Sequence, residues 1–342
     1  MRTILVTGAA GFIGANFVRM LMARDEPVRL VALDKLTYAG NLANLEGLLD
    51  RDERLVFVRG DICDAKLVAE LFDRHRISEL VNFAAESHVD RSILGSGPFV
   101  QANVVGTQVL LDVAKAKVCA KFLQVSTDEV YGSLPEDKPE VKFTEDTPLQ
   151  PNSPYSASKT AADCMVRSYH HTFGMPVLTT RCSNNYGPYQ FPEKLIPLFV
   201  TNLIEGKKVP LYGDGMNVRD WLYVEDHCEA LWAVLNKGRI GEVYNIGGNN
   251  EIPNRRITET ILREMGKSWE ENVQYVKDRP GHDRRYAIDA SRIKNELGWE
   301  PKHRFEQAIR ATIDWYRTHQ DWWRAIKSGE YLKYYEQQYA GR

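Results

Sequence analysis

A chain of 342 residues, 43% hydrophobic and 26% charged, is long enough to bury a large core in one big domain or two coupled ones. Its 44 Lys and Arg against 46 Asp and Glu leave a formal net charge of -2, which offers no broad basic field to a nucleic-acid backbone or an anionic membrane. No run of about 18 apolar residues and no leader pattern occurs, and the five cysteines (Cys63, Cys119, Cys164, Cys182, Cys228) are widely spaced without zinc-ligand clustering, so reduced thiols, no metal and a cytoplasmic location are expected.

In chain order, short β-rich runs alternate with helical patterns. Strands are expected at Thr3–Thr7, Arg29–Asp34, Leu55–Arg59, Glu79–Phe83, Lys121–Ser126 and Pro176–Cys182. Between them, Gly14–Ala23, Leu67–His75, Val100–Ala116 and Ser156–Phe173 have the length and composition of helices. This alternation predicts an α/β chain: a Rossmann-type doubly wound parallel sheet covered on both faces. After Asn184 the pattern turns to Tyr186-Gly187-Pro188 and Tyr212-Gly213-Asp214-Gly215 around shorter elements, which predicts a smaller carboxy-terminal lobe. Strand-like Glu242–Ile246 is expected to return to the sheet, so the division is discontinuous, with 1–183 plus 221–253 in one domain and 184–220 plus 254–342 in the other. Phe305, Ile309, Ile313 and Tyr316 recur at helical spacing before Ile326, and Tyr331, Tyr334, Tyr335 and Tyr339 follow. Packing against the body or a partner subunit is expected there.

The first strand runs into Gly8-Ala9-Ala10-Gly11-Phe12-Ile13-Gly14, which opens a helix. Glycines let the backbone approach a pyrophosphate, and the N–H groups of the helix start attract its charge. Asp34 ends the second strand about 20 residues beyond the last glycine, where a carboxylate accepts ribose hydroxyls. Because it repels a 2′-phosphate, NAD is expected over NADP, although Lys35 beside it is an opposing charge. Asp61-Ile62 and Ala84-Ala85 lie at the carboxyl ends of the third and fourth strands, where such sheets bind ligands.

Tyr155 and Lys159 stand four residues apart, on one face of a helix. Making a tyrosine a base near neutrality takes roughly 4 kcal/mol, and one Lys charge at about 4 Å in an effective dielectric near 20 offers about that much. The positive nicotinamide ring of NAD would add to it. Ser126 or Thr127 could hydrogen-bond the same substrate oxygen.

With these residues in place, the chain resembles the extended short-chain dehydrogenase/reductase family in its nucleotide-sugar branch. Ser126-Thr127-Asp128-Glu129-Val130-Tyr131-Gly132 carries the paired acids found in the hexose 4,6-dehydratases. Adjacent residues of a regular strand face opposite ways, so Asp128 and Glu129 can serve one substrate only if the strand has already ended there. Ala84 to Ser92, Ser183 to Pro188, Phe191 to Pro197, Arg219 to His227 and Asp278 to Tyr286 are similar, over nearly the whole length, to the enzymes of that group acting on dTDP-glucose.

That resemblance implies NAD contacts at Gly8, Gly11, Phe12, Ile13, Gly14, Asp34, Lys35, Leu36, Thr37, Asp61, Ile62, Ala84, Ala85, Ser126, Tyr155, Lys159 and Asn184. Ala102 stands where these enzymes often carry a threonine that touches the cofactor. It also implies a nucleotide sugar held by Ser87, Thr127, Asp128, Glu129, Asn185, Lys194, Leu195, Pro210, Tyr212, Arg219, Asn254, Arg279 and His282. Lys194, Arg219 and Arg279 are apt counter-charges for a diphosphate. The implied reaction is C4 oxidation by Tyr155 with Thr127 and Lys159, then loss of water between C5 and C6 with Glu129 as base and protonated Asp128 as acid, then reduction at C6. A 4-epimerase, a decarboxylase, a dehydratase of another nucleotide sugar and a non-catalytic NAD-binding sensor are the alternatives. A homodimer through Val100–Ala116 and Ser156–Phe173 is implied as well.

Overall fold

A computed structural model describes residues 2–49 and 52–328. Seven parallel strands form the main sheet: β1 (Arg2–Thr7), β2 (Val28–Asp34), β3 (Leu55–Arg59), β4 (Glu79–Asn82), β5 (Lys121–Thr127), β6 (Val177–Cys182) and β10 (Val243–Ile246). Their order is β10-β6-β5-β4-β1-β2-β3. The chain therefore builds outward in one direction from β1 and then in the other from β4, and the switch point between those two is where a doubly wound sheet binds ligands. The return of 242–246 to the sheet is seen directly, since Val243 to Ile246 pair in parallel with Thr179 to Cys182.

Side-chain alternation explains why the middle of β1 is apolar on both faces. On β1, Ile4 and Val6 join one core with Leu30, Ala32, Leu123 and Val125. Leu5 joins a second core on the opposite face with Val31, Leu33, Leu80 and Phe122. Both faces of the sheet are covered, so both alternating positions of β1 are apolar, and the polar side chains buried on neighbouring strands are paired, as Asn82 donating to Gln124 at 2.9 Å.

Helix boundaries follow local chemistry. Asp64 caps Ala65–His75 by accepting the amides of Lys66 and Leu67 at 3.1 and 3.0 Å. Pro154–Phe173 opens with a reciprocal Ser153/Ser156 capping box and Pro154 in its first turn, and it closes on Gly174 at φ 66°. One expected helix differs: the regular part is Gly106–Ala116, and Val100–Val105 before it is wound as a wider π-helix. Within that wide turn the Asn103 side chain ties the loop after β4 to the helix Pro154–Phe173. Its amide accepts from Glu86 N at 2.8 Å and donates to the Glu86 carbonyl at 2.9 Å and to Ser158 Oγ at 2.8 Å. Hydrophobic spacing carries no trace of such a bond.

The smaller lobe holds the sheet of β7 (Asn184–Tyr186), β9 (Val218–Tyr223) and β11 (Glu251–Pro253) and the pair β8 (Val209–Tyr212) with β12 (Val273–Val276). Strand β9 ties the lobes together by the same two-residue period. Leu222 belongs to the core of the main sheet, and Trp221 and Tyr223 belong to the core of the smaller lobe. Phe305, Ile309, Ile313 and Tyr316 pack into the latter, although the helix expected to reach Ile326 is broken into Phe305–Thr318 and Gln320–Ile326. Ile293 and Trp299, from the segment assigned by sequence to the second domain, join the main-sheet core instead. Tyr331, Tyr334, Tyr335 and Tyr339 lie outside the described residues.

A buried ion pair locks the helix Pro154–Phe173 to the sheet. Arg181 on β6 donates to Asp163 at 3.0 Å and to the Tyr131 hydroxyl at 3.0 Å, and both charged side chains are nearly enclosed. Removing one partner of such a pair strands the other charge in a low dielectric. Asp163→Ala should therefore lower the unfolding free energy by about 3 to 5 kcal/mol, as read by urea denaturation, and adding Arg181→Leu should recover a large share of the loss.

Candidate active site

A cleft of about 400 Å³ opens at the carboxyl ends of the strands, spanning the β1/β4 switch point. It is lined at one end by the glycine turn and Asp34, at the other by Ser126, Thr127, Asp128, Glu129, Tyr155 and Lys159, and by Asn184 and Lys194 besides.

The turn can close as it does only with glycine. Gly8 sits at φ +64°, and a Cβ there would stand 2.7 Å from the Ala84 amide nitrogen. A Cβ on Gly14 would stand 2.2 Å from the Gly8 carbonyl oxygen. The helix Phe12–Met22 that follows receives no side-chain cap, so its first N–H groups are left to whatever enters the cleft. Asp34 braces this turn, accepting from Ala10 N at 2.9 Å and Leu36 N at 2.7 Å. Its burial raises the carboxyl above its usual range and these two amides pull it back, while each oxygen keeps a lone pair for a ribose hydroxyl.

Lys35 is turned away from a phosphate role by its ion pair with Asp61 at 2.7 Å. Leu36, expected to touch cofactor, does not line the cleft; it adopts φ 56° with its amide bound to Asp34. Ser126 Oγ and Asn184 Oδ1 are buried polar atoms of the cleft residues with no hydrogen bond among the described residues. An uncapped helix start, a braced carboxylate and unsatisfied wall groups suit a dinucleotide.

At the catalytic end, β5 stops at Thr127 and Asp128–Tyr131 forms a short 3-10 turn, with Thr127 Oγ1 accepting Glu129 N at 3.3 Å. This break brings both acids to the cleft, as the paired-acid reading requires. Asp128 is buried, and burial, followed by the neighbouring charges of Glu129 and Asp220, pushes its carboxyl well above the ordinary value. Glu129 is raised too, chiefly by burial, against the pull of Arg279, Lys194 and Arg219.

The Tyr155/Lys159 electrostatics differ from expectation. Lys159 Nζ donates to the Val125 carbonyl at 2.8 Å, and its own pKa is lowered by burial. Burial pushes the Tyr155 phenol well above its usual value and Glu129 adds to the rise, against a hydrogen bond with Thr127. One lysine charge does not overcome desolvation plus a facing carboxylate. In the protein alone Tyr155 is therefore a phenol.

Ser87, Asn185 and Lys194 reach the cleft, whereas Leu195, Pro210, Tyr212, Arg219, Asn254, Arg279 and His282 are not among its lining residues. Several of the latter gather beside it. Arg279 is 3.8 Å from Asp90, Tyr212 OH lies 3.5 Å from the same carboxylate, and the Tyr212 and His282 rings meet edge-on at 6.2 Å. His282 is bonded to Asp278 at 2.6 Å and held neutral, its pKa down to about 3, by burial and by Arg279 and Arg219. Arg219 donates to the Asp283 carbonyl at 2.8 Å and lies over the Tyr286 ring. Arg279 Nε and Asn254 Oδ1 are buried without a hydrogen bond among the described residues, as groups awaiting a polar ligand would be.

Sequence reasoning missed Tyr38 and gave no individual role to Asp90, His227 and Glu193, which lie within the similar segments. His227 Nδ1 lies 2.9 Å from Asn185 Oδ1 and so orients that amide. A lone carboxylate or imidazole carries no spacing signal, and only the convergence of distant segments marks these residues.

The profile of the family described as GDP-mannose 4,6 dehydratase matches residues 5–312. The chain belongs to this family. Among its relatives, a dTDP-glucose 4,6-dehydratase of Xanthomonas campestris is 55% identical, with 97% of each chain covered. Among solved structures, the dTDP-glucose 4,6-dehydratase DesIV of Streptomyces venezuelae, with NAD bound, is 50% identical with TM-score 0.91, covering 95% of this chain and 100% of that one. The dTDP-glucose 4,6-dehydratase of Bacillus anthracis in complex with NAD is 51% identical with TM-score 0.89, covering 96% of this chain and 100% of that one.

Proposed function

We propose that the protein is an NAD-dependent hydro-lyase that converts dTDP-glucose to dTDP-4-keto-6-deoxyglucose and water. One observation carries the reading: buried Asp128 and partly buried Glu129, two acids on one turn, open into the same cleft as Tyr155. NAD fits the glycine turn and Asp34, and when bound it supplies a reversible hydride acceptor at the sugar's C4 and donor at C6.

The side chains do the rest. Tyr155 takes the proton of the C4 hydroxyl, aided by Thr127; the positive nicotinamide ring of bound NAD would favour its phenolate. Lys159 is held at the Val125 carbonyl near the end of β5, beside the site. The C4 ketone acidifies the C5 hydrogen, Glu129 removes it, and Asp128 gives its proton to the leaving C6 hydroxyl. Two neighbouring carboxyls that resist joint ionisation divide naturally into an acid and a base.

Lys194, Arg219 and Arg279 are assigned to the diphosphate, with Ser87, Asn185, Leu195, Pro210, Tyr212, Asn254 and His282 around the nucleotide sugar. The cofactor is assigned chiefly to domain 1–183 plus 221–253 and the nucleotide of the substrate to 184–220 plus 254–342, with Ile293 and Trp299 of the latter packed in the main-sheet core. A homodimer through Val100–Ala116 and Ser156–Phe173 is in keeping with the exposed Val100 and Phe173 in those segments. Five free thiols suit a cytoplasmic setting.

Incubation with dTDP-glucose followed by mass spectrometry should show a product lighter by one water. An unchanged mass would point to an epimerase or a sensor, loss of carbon dioxide from a uronic acid to a decarboxylase, and water loss from GDP-mannose alone to a different nucleotide sugar.

A further inference from the structure

No step above uses Glu193, yet it is among the most enclosed carboxylates of the cleft, 8% exposed. It lies just before the helix Leu195–Ile204. Its Oε2 accepts from Arg91 Nε at 3.3 Å and stands 3.8 Å from His88 Nε2, and it also takes a hydrogen bond from the Tyr38 hydroxyl. The Arg91 guanidinium lies 4.0 Å over the Tyr38 ring, which meets Phe191 edge-on at 5.6 Å. The adjacent Lys194 donates to the Ser87 carbonyl at 3.0 Å.

Three stretches of chain that leave different strands are thus tied at one carboxylate: Tyr38 beyond β2, His88 and Arg91 beyond β4, and Phe191 to Lys194 beyond β7. Tyr38, Ser87, Phe191, Glu193 and Lys194 all line the cleft that holds the glycine turn. Tyr38 follows the Asp34 end of the cleft, and Ser87 and Lys194 belong to its sugar end, so the tie bridges the two halves of a dinucleotide site.

We propose that Glu193 is a positioning residue: it knots a strap from the β2 loop to the β4 and β7 loops that retains the dinucleotide between turnovers. This inference rests on the reading of the cleft as an NAD site. The chemistry gives retention a purpose, because a hydride taken at C4 and returned at C6 regenerates the cofactor in place. Burial suits the assignment as well. It pushes the Glu193 carboxyl up to about 7 despite Lys194 and Arg91, which marks an enclosed knot and not a solvated surface ion pair.

The test is the dissociation rate of NAD from the loaded protein, measured by exchange against labelled NAD. Glu193→Gln keeps the shape and removes the charge that Arg91 faces, and NAD should leave about tenfold faster, the equivalent of one charge-assisted hydrogen bond. Tyr38→Phe removes one hydroxyl from the same knot and should also speed release, by a smaller factor. In both variants the melting temperature of the NAD-free protein should stay near that of the wild type, whereas the rise produced by added NAD should shrink. The strap is overturned if the wild type retains NAD and both variants release it at the wild-type rate, or if the NAD-free melting temperature falls with no change in release. A wild type that binds no NAD overturns the cofactor reading, and the strap with it.

Discussion

Tyr155→Phe should lower turnover of dTDP-glucose by about 10² to 10⁴, the range expected when a positioned base is removed. The substitution is clean because the ring already packs against Val89 and Phe99 in a small apolar cluster, with the Phe99 ring edge-on at 6.3 Å. Only the hydroxyl and its bond with Thr127 are lost. Since C4 oxidation is the first step, no reduced nicotinamide should appear in a single turnover, and binding of NAD and dTDP-glucose should persist. A variant that still reduces its cofactor at the wild-type rate would remove Tyr155 from the chemistry.

Asp128→Asn should act later in the sequence. The amide matches the carboxyl in shape, and because burial and Glu129 already favour the neutral acid, a neutral substitute adds no desolvation cost and the fold should hold. What it cannot do is give up a proton to a departing hydroxyl. C4 oxidation should therefore proceed close to the wild-type rate and elimination should slow by about 10² or more, so that reduced nicotinamide accumulates in rapid-mixing absorbance traces. The pH profile should change with it. A group that works as an acid with its pKa raised loses activity as pH climbs through that value, so the wild-type elimination step should decline on the alkaline side. In Asp128→Asn that decline should vanish. Equal slowing of both steps would assign Asp128 a binding or structural role.

These two variants probe residues of differing legibility. Tyr155 and Lys159 could be paired from their spacing alone, because a helix brings positions four apart to one face whatever the rest of the protein does. Their electrostatics could not be read that way. Spacing says nothing about what buries the phenol, and the facing carboxylate of Glu129 together with desolvation reversed the expected direction. Asp128 and Glu129 fall between these cases: the strand-versus-turn condition was plain in the sequence, but whether β5 ended at Thr127 depended on the Thr127 hydroxyl capping Glu129 in place of another ladder bond.

The amino-acid order by itself determined the repeating strand and helix units, the glycine turn, the carboxylate ending β2 and the return of 242–246 to the sheet, since each follows from periodicity, backbone freedom or short-range spacing. Only the tertiary structure decided the π-helical turn at Asn103, the capture of Lys35 by Asp61, the displacement of Leu36 from the cleft and the knot at Glu193. The reason is physical. Apart from Leu36, whose amide is bound by Asp34 two residues away, each depends on hydrogen bonds or charges between segments far apart in the chain, whose strength is set by how completely the fold excludes water around them.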